Sequence, residues 1–195
     1  MKPSTVRLPG TRAQRLLFVT AMAGAGTAAA VSLGLARPYH FLVVEEGVLY
    51  RSGALDPGTL ERVLEEHGIR CLVNLQPSSI NALPWHAEEA AVCARLGVSM
   101  IDLPLEAEAP PTPAQLATWF AVLDDPANHP VIVHCQHGVV RTGALVALFQ
   151  IGRRGVPNHE AWRALPDFGH DMQGPRRKPI RDFVLAFRPD GRAPR

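Results

Sequence analysis

Cys135 and Arg141 pair a thiol nucleophile with a planar cation, separated by the five residues Gln136-His137-Gly138-Val139-Val140. Before them the β-branched run Val131-Ile132-Val133 reads as a short buried strand, ending in His134. After them Arg141-Thr142-Gly143 opens an apolar stretch with helical character. Strand, tight loop and helix N-terminus form the local arrangement that holds a phosphate. The loop N–H groups converge on the anion, and the helix dipole points at the same place. That positive field would keep Cys135 a thiolate near neutral pH. Arg141 offers a fork of donors for two phosphoryl oxygens at once. Gly138 gives the loop a residue free to adopt positive φ.

Elements that would carry this loop can be read along the chain from residue 40, where strand and helix patterns alternate as in an α/β layer fold. Val43-Val44 and Val48-Leu49-Tyr50 read as opening strands. Asp56-Pro57 starts a helix with Leu60, Val63 and Leu64 on one face, ended by Gly68. Cys71 to Leu75 is a strand. A helix bearing Trp85, Val92, Cys93 and Leu96 closes at Gly97. Val98 to Leu105 forms another strand, followed by a proline-rich loop from Glu106 to Pro113. Thr112-Pro113 begins a helix with Leu116, Trp119, Phe120 and Leu123 inward. The strand into Cys135 and a helix from Arg141 to about Arg153 come next, then shorter helices near 159–165 and 178–187.

The segment His134-Cys135-x5-Arg141-Thr142-Gly143 resembles the His-Cys-x5-Arg-Ser/Thr-Gly motif of cysteine-based protein phosphatases. Its place late in the chain is similar to the dual-specificity branch, as are Leu49-Tyr50-Arg51-Ser52-Gly53 and Val73-Asn74-Leu75 in atypical members. The resemblance covers roughly residues 40–188 and implies a central, mostly parallel sheet flanked by helices. It implies a phosphoric monoester hydrolase of the protein-tyrosine/dual-specificity type, in which Cys135 forms a phosphocysteine without cofactor or metal. Arg141 and the loop residues Gln136 to Val140 would hold the equatorial oxygens. Thr142 would donate its hydroxyl to the sulfur, and His134 would orient the loop. His137 reads as a solvent-facing spacer able to touch substrate.

In this family an aspartate on the loop after the preceding strand usually protonates the leaving group. Here that loop, Leu103 to Pro110, contains Glu106 and Glu108 but no aspartate, and Asp102 lies just upstream. The order of preference is Glu106, Asp102, Glu108. No lysine occupies the loop, which favours a phosphoprotein or simple phosphomonoester over polyphosphorylated inositols. A phosphatase for lipid or inositol phosphates, a rhodanese-like sulfurtransferase and a non-catalytic phosphate-binding module are the competing readings. The rhodanese loop is typically one residue shorter.

Composition bounds the rest. With 47% apolar and 19% charged residues, the chain holds one globular domain, expected at 38–188, plus appendages. Lys2, Arg7, Arg12 and Arg15 precede any acid; setting them aside leaves 16 basic against 18 acidic residues, so no nucleic-acid surface is indicated. The cluster Arg176-Arg177-Lys178 with Arg181 reads as a solvated helix start that can attract anions. The basic segment 1–15 is followed by 21 uncharged residues, 16–36. A helix of that length spans about 30 Å. Two readings stand: a single membrane anchor, or a secretory signal peptide cut near Ala30 or Ala36. Either places the catalytic domain outside the cytoplasm; 189–195 reads as a disordered tail. Cys71 and Cys93 read as core residues, with reversible pairing of one of them to Cys135 left open by the resemblance. No Cys/His spacing indicates zinc, and oligomeric state is not legible.

Overall fold

A computed structural model describes residues 37–189, Ala82 excepted. The expected basic segment 1–15, the apolar helix 16–36 and the tail from 190 onward lie outside the described residues. Among the described residues no helix is long and apolar enough to cross a membrane.

Strands and helices follow one another as β1 (Leu42–Glu45), β2 (Leu49–Ser52), α1 (Pro57–Glu66), β3 (Cys71–Asn74), α2 (Ser78–Asn81), α3 (Pro84–Leu96), β4 (Ser99–Asp102), α4 (Pro113–Asp124), β5 (Val131–His134), α5 (Val140–Arg154), α6 (Asn158–Arg163) and α7 (Lys178–Ala186). The helix starts follow from side-chain chemistry. Asp56 caps α1 by accepting from Thr59 N at 3.0 Å, with Pro57 in the first turn. Thr112 and Gln115 form a reciprocal capping box at α4.

The five strands lie in the order β1-β2-β5-β3-β4. Only β1 runs antiparallel to its neighbour, so the sheet is mostly parallel with helices flanking it, as expected. β5 is central, between β2 and β3. Its buried run Val131-Ile132-Val133-His134 has no exposed face. Register aligns Ser52, His134, Asn74 and Asp102 across one edge of the sheet. This is the edge at which the strands' carboxyl ends meet, where open α/β sheets bind ligands.

Side chains alternate between two cores. Leu49, Val73, Val131, Val133 and Cys135 pack with α4, α5 and α7. Tyr50, Leu72 and Ile132 pack on the other side with Leu60, Val63 and Leu64 of α1 and Val92 and Cys93 of α3. Helix α5 is buried continuously from Arg141 to Phe149, so it carries no polar stripe.

Local differences from the sequence reading have physical causes. The strand expected at Val98–Leu105 pairs only over Ser99–Asp102. Its partner β3 ends at Asn74, beyond which Leu103 N to Asn74 O and Leu105 N to Leu75 O continue the contact as a loop. The short α2 was not foreseen. Trp85 sits half-exposed on α3, whose buried positions are Glu89, Val92 and Cys93. Cys71 is in register with Val131, at the opposite end of the strands from Cys135. Four strand residues separate them by roughly 13 Å, beyond disulfide reach. Cys93 belongs to the core on the other face of the sheet. Reversible pairing with Cys135 is therefore ruled out in this fold. Burial pushes the thiols of Cys71 and Cys93 up to about 11 and 12.

Candidate active site

The loop between β5 and α5 forms because an all-buried strand ends at His134 and a new helix begins at Val140. Only the residues between can turn. Gly138 adopts φ +65°, and its Cα lies so close to β2 that a Cβ there would meet Ser52 O at 2.2 Å. Two loop carbonyls are held by the end of β2: Ala54 N donates to Gln136 O at 3.1 Å, and Arg51 Nη2 donates to Gly138 O. With those oxygens bound on the outside, the loop amides are free to face inward.

Cys135 lies at the floor of a small cleft of about 70 Å³, lined also by Ala107, His137, Val139, Val140, Arg141, His170 and Arg177. Cys135 is 2% exposed, so its thiol is almost wholly buried beneath this opening. Arg141 is 8% exposed and donates Nη1 to Leu75 O at 3.2 Å, which anchors its guanidinium at the carboxyl end of β3. Thr142 is fully buried, and its hydroxyl has no hydrogen-bond partner among the described residues. It remains available to the sulfur or to substrate.

His134 points to the other face of the sheet. Its Nε2 stands 3.1 Å from Glu89 Oε1 of α3, a close contact between two buried polar side chains. Among the described residues neither ring nitrogen makes a hydrogen bond to the loop, and Glu89 is the neighbour that sequence reading missed. The signal was present: Glu89 shares the helical face of Val92 and Cys93, and a carboxylate at a core position needs a partner.

His137 lines the cleft rather than facing bulk solvent alone. Its Nδ1 lies 3.1 Å from Tyr39 Oη, while its carbonyl accepts from His40 Nδ1 at 2.7 Å. His40 stacks on Phe168 at 4.0 Å, and His170 lies 5.3 Å from His137 between ring centroids. Burial, then the nearby His170, Arg141 and His40, hold the His137 imidazole below its ordinary pKa. Nothing local in the sequence singled out His40 or His170, which reach the mouth only through the chain's return.

The three carboxylate candidates are placed differently. Asp102 accepts from Asn74 Nδ2 at 2.8 Å and lies 3.0 Å from His86 Nε2, and it does not line the cleft. Glu106 and Glu108 are exposed on either side of Ala107, which does line it. Glu108 Oε1 stands 4.0 Å from Arg176 Nε across the opening. The basic cluster expected to be a plain helix start thus contributes Arg177 to the lining. Among the described residues no cluster of His, Cys, Asp and Glu is arranged to hold a metal ion.

Comparison with known proteins agrees with this fold. The inositol diphosphatase DSP3 of Arabidopsis thaliana is 33% identical over 116 residues, 57% of this chain and 54% of that protein. The chain thus spans about half the length of the curated relatives it matches. Among solved structures, the core catalytic domain of the PP-IP phosphatase SIW14 from S. cerevisiae, in complex with citrate, superposes with a TM-score of 0.67. It is 18% identical, with 80% of this chain and 90% of that one covered. TpbA of P. aeruginosa in complex with pTyr gives a TM-score of 0.58 at 20% identity, covering 80% and 94%. Residues 43–173, which carry β2 to β5, the loop after β5 and α5, match the family described as "DSP-PTPase phosphatase fused to NAD+ Kinase", and the chain belongs to this family of DSP-type phosphatases.

Proposed function

We propose that this chain hydrolyses phosphoric monoesters through a phosphocysteine intermediate. The observation carrying this reading is Cys135 on the floor of a cleft walled by Arg141, beneath a loop whose carbonyls are tied outward. The Cys135 thiolate attacks phosphorus in line, the P–O bond to the leaving group breaks, and that oxygen takes a proton from a carboxylic acid. Arg141 and the loop amides balance the charge on the three equatorial oxygens. Water then gives its proton back to the carboxylate and displaces the sulfur, releasing inorganic phosphate. Hydrolysis of an aryl phosphate by the full chain tests this, with Cys135→Ser as control. Turnover in the wild type and none in the variant are expected; equal turnover in both refutes the mechanism.

For the proton donor we propose Glu106. Asp102 already holds Asn74 and His86, and Glu108 faces Arg176, which leaves Glu106 beside the residue that touches the cleft. In pH–rate profiles Glu106→Gln removes the basic limb, while Asp102→Asn and Glu108→Gln retain it. Retention in Glu106→Gln reassigns the acid.

Against the expectation drawn from the lysine-free loop, a substrate with several phosphoryl groups is supported by Arg177, which joins Arg141 in the cleft lining from another element. The names of the inositol diphosphatase relatives support the same class. Phosphoprotein substrates are the second reading, supported by the phosphotyrosine bound to TpbA. Arg177→Ala separates them: it weakens inhibition by a polyphosphorylated inositol about tenfold but leaves vanadate inhibition unchanged in the first case only. For the basic and apolar start we propose delivery of the domain outside the cytoplasm, tested by periplasmic-reporter fusions after residue 37.

A further inference from the structure

Arg51 is a buried cation that the reaction scheme above leaves without a task. It is 1% exposed, yet among the described residues it forms no ion pair with any carboxylate. Its Nη2 donates to Gly138 O, while Nε and Nη1 find no hydrogen-bond partner in the protein. The Phe168 ring, 5.8 Å from Cζ, supplies only a weak attraction. Another positive feature stands nearby, the N-terminus of α5. A Cβ on Gly143, in the first turn of α5, would lie 3.8 Å from Arg51 Nη2. An uncompensated charge buried in such a place is costly, so the site favours a negative partner.

The fold offers one. β2 runs parallel beside β5 with Arg51 opposite Val133 and Ser52 opposite His134, so Arg51 shares the sheet face of Leu49, Val133 and Cys135. We propose that Arg51 is a positioning residue with two linked tasks: it pins the Gly138 carbonyl outward, so the loop amides point at the phosphate, and it balances the Cys135 thiolate from beneath. Arg141 grips the substrate from within the cleft; Arg51 acts through the loop and the sulfur, and touches neither substrate nor leaving group. The electrostatics are consistent. Burial draws the Arg51 guanidinium down to about 10, and Cys135 is the group that works against this fall. Around it stand Gly138 of the loop, Val44 of β1, Val146 and Gln150 of α5, Leu165 and Phe168 of the segment after α6, and Cys135, of which only Cys135 can bear negative charge.

This inference rests on the phosphocysteine reading, and the tests separate the two. In the full chain, Arg51→Met keeps the volume and removes the charge. Alkylation of Cys135 by iodoacetamide at pH 6.5 is expected to slow at least about tenfold. Aryl phosphate kcat/KM is expected to drop about 100-fold, as for a misplaced loop. Wild-type alkylation and turnover in a folded Arg51→Met chain overturn the proposal while leaving the phosphatase reading intact. A wild type that hydrolyses nothing sinks the phosphatase reading, yet its alkylation rate still reports on Arg51. Should Arg51→Met not fold, Arg51→Lys decides: the charge persists, so alkylation stays within about threefold, while turnover falls about tenfold as the Gly138 carbonyl loses its rigid donor. Full turnover in Arg51→Lys overturns the first task, and alkylation slowed tenfold there overturns the second.

Discussion

Gly138→Ala is the sharpest perturbation of the nucleophile loop, because its consequences can be worked from coordinates. A Cβ at that position would stand 2.2 Å from Ser52 O and 2.5 Å from Gly53 N, both backbone atoms of the β2 end. Ordinary contact begins at about 3.4 Å, so loop and strand must part by roughly 1 Å. The residue also holds φ +65°, which costs an L-residue about 1–2 kcal/mol. Overpacking adds about 1–3 kcal/mol, for a total of roughly 2–5 kcal/mol of stability. The parting also carries the Gly138 carbonyl away from Arg51, and a displacement near 1 Å in a positioning element costs about 100-fold in turnover. Urea midpoints and aryl phosphate kinetics measure both. Gly47→Ala is the control: φ is +71°, but nothing lies within 4 Å of the new Cβ. It should lose only the backbone share, about 1–2 kcal/mol, with activity intact. Equal behaviour of the two variants would refute the claim that close approach of β2 shapes the loop.

Other consequences concern the supports of the site. Glu89→Ala removes the partner of buried His134 and should lower stability by about 1–3 kcal/mol and reduce kcat with little change in KM, whereas Glu89→Gln restores most of the stability in urea titration. Asp56→Ala, which uncaps α1, should cost about 1 kcal/mol. Hydrogen bonds from Thr59 hold the Asp56 carboxyl below its ordinary value. Its capping contribution is therefore complete above the ordinary aspartate range and disappears as pH falls through the lowered folded value. Asp56→Asn should lose less than wild type over that acid window, measured by thermal melts at each pH.

Much of the scaffold was legible because burial leaves a local trace. Val131-Ile132-Val133 and Leu60, Val63 and Leu64 show their periods directly, and Asp56-Pro57 and Thr112-Pro113 mark helix starts through capping chemistry. The ends of β4 were not legible, since its length depends on where β3 stops supplying partners. The proton donor was not legible either. Which of Asp102, Glu106 and Glu108 is free depends on Asn74, His86 and Arg176, none of them sequence neighbours. His137 read as a spacer because its contacts, Tyr39, His40 and His170, arrive from both ends of the domain.

The chain by itself determined the candidate nucleophile loop and the alternation of strands and helices, since each depends on residues adjacent along the backbone. Tertiary structure alone decided what surrounds them: Arg51 under Gly138, Glu89 behind His134, Arg177 and His170 at the rim, and the separation of Cys71 and Cys93 from Cys135. Parallel pairing brings distant segments together at one edge of the sheet. Long-range charge compensation is settled there, and no local pattern encodes it.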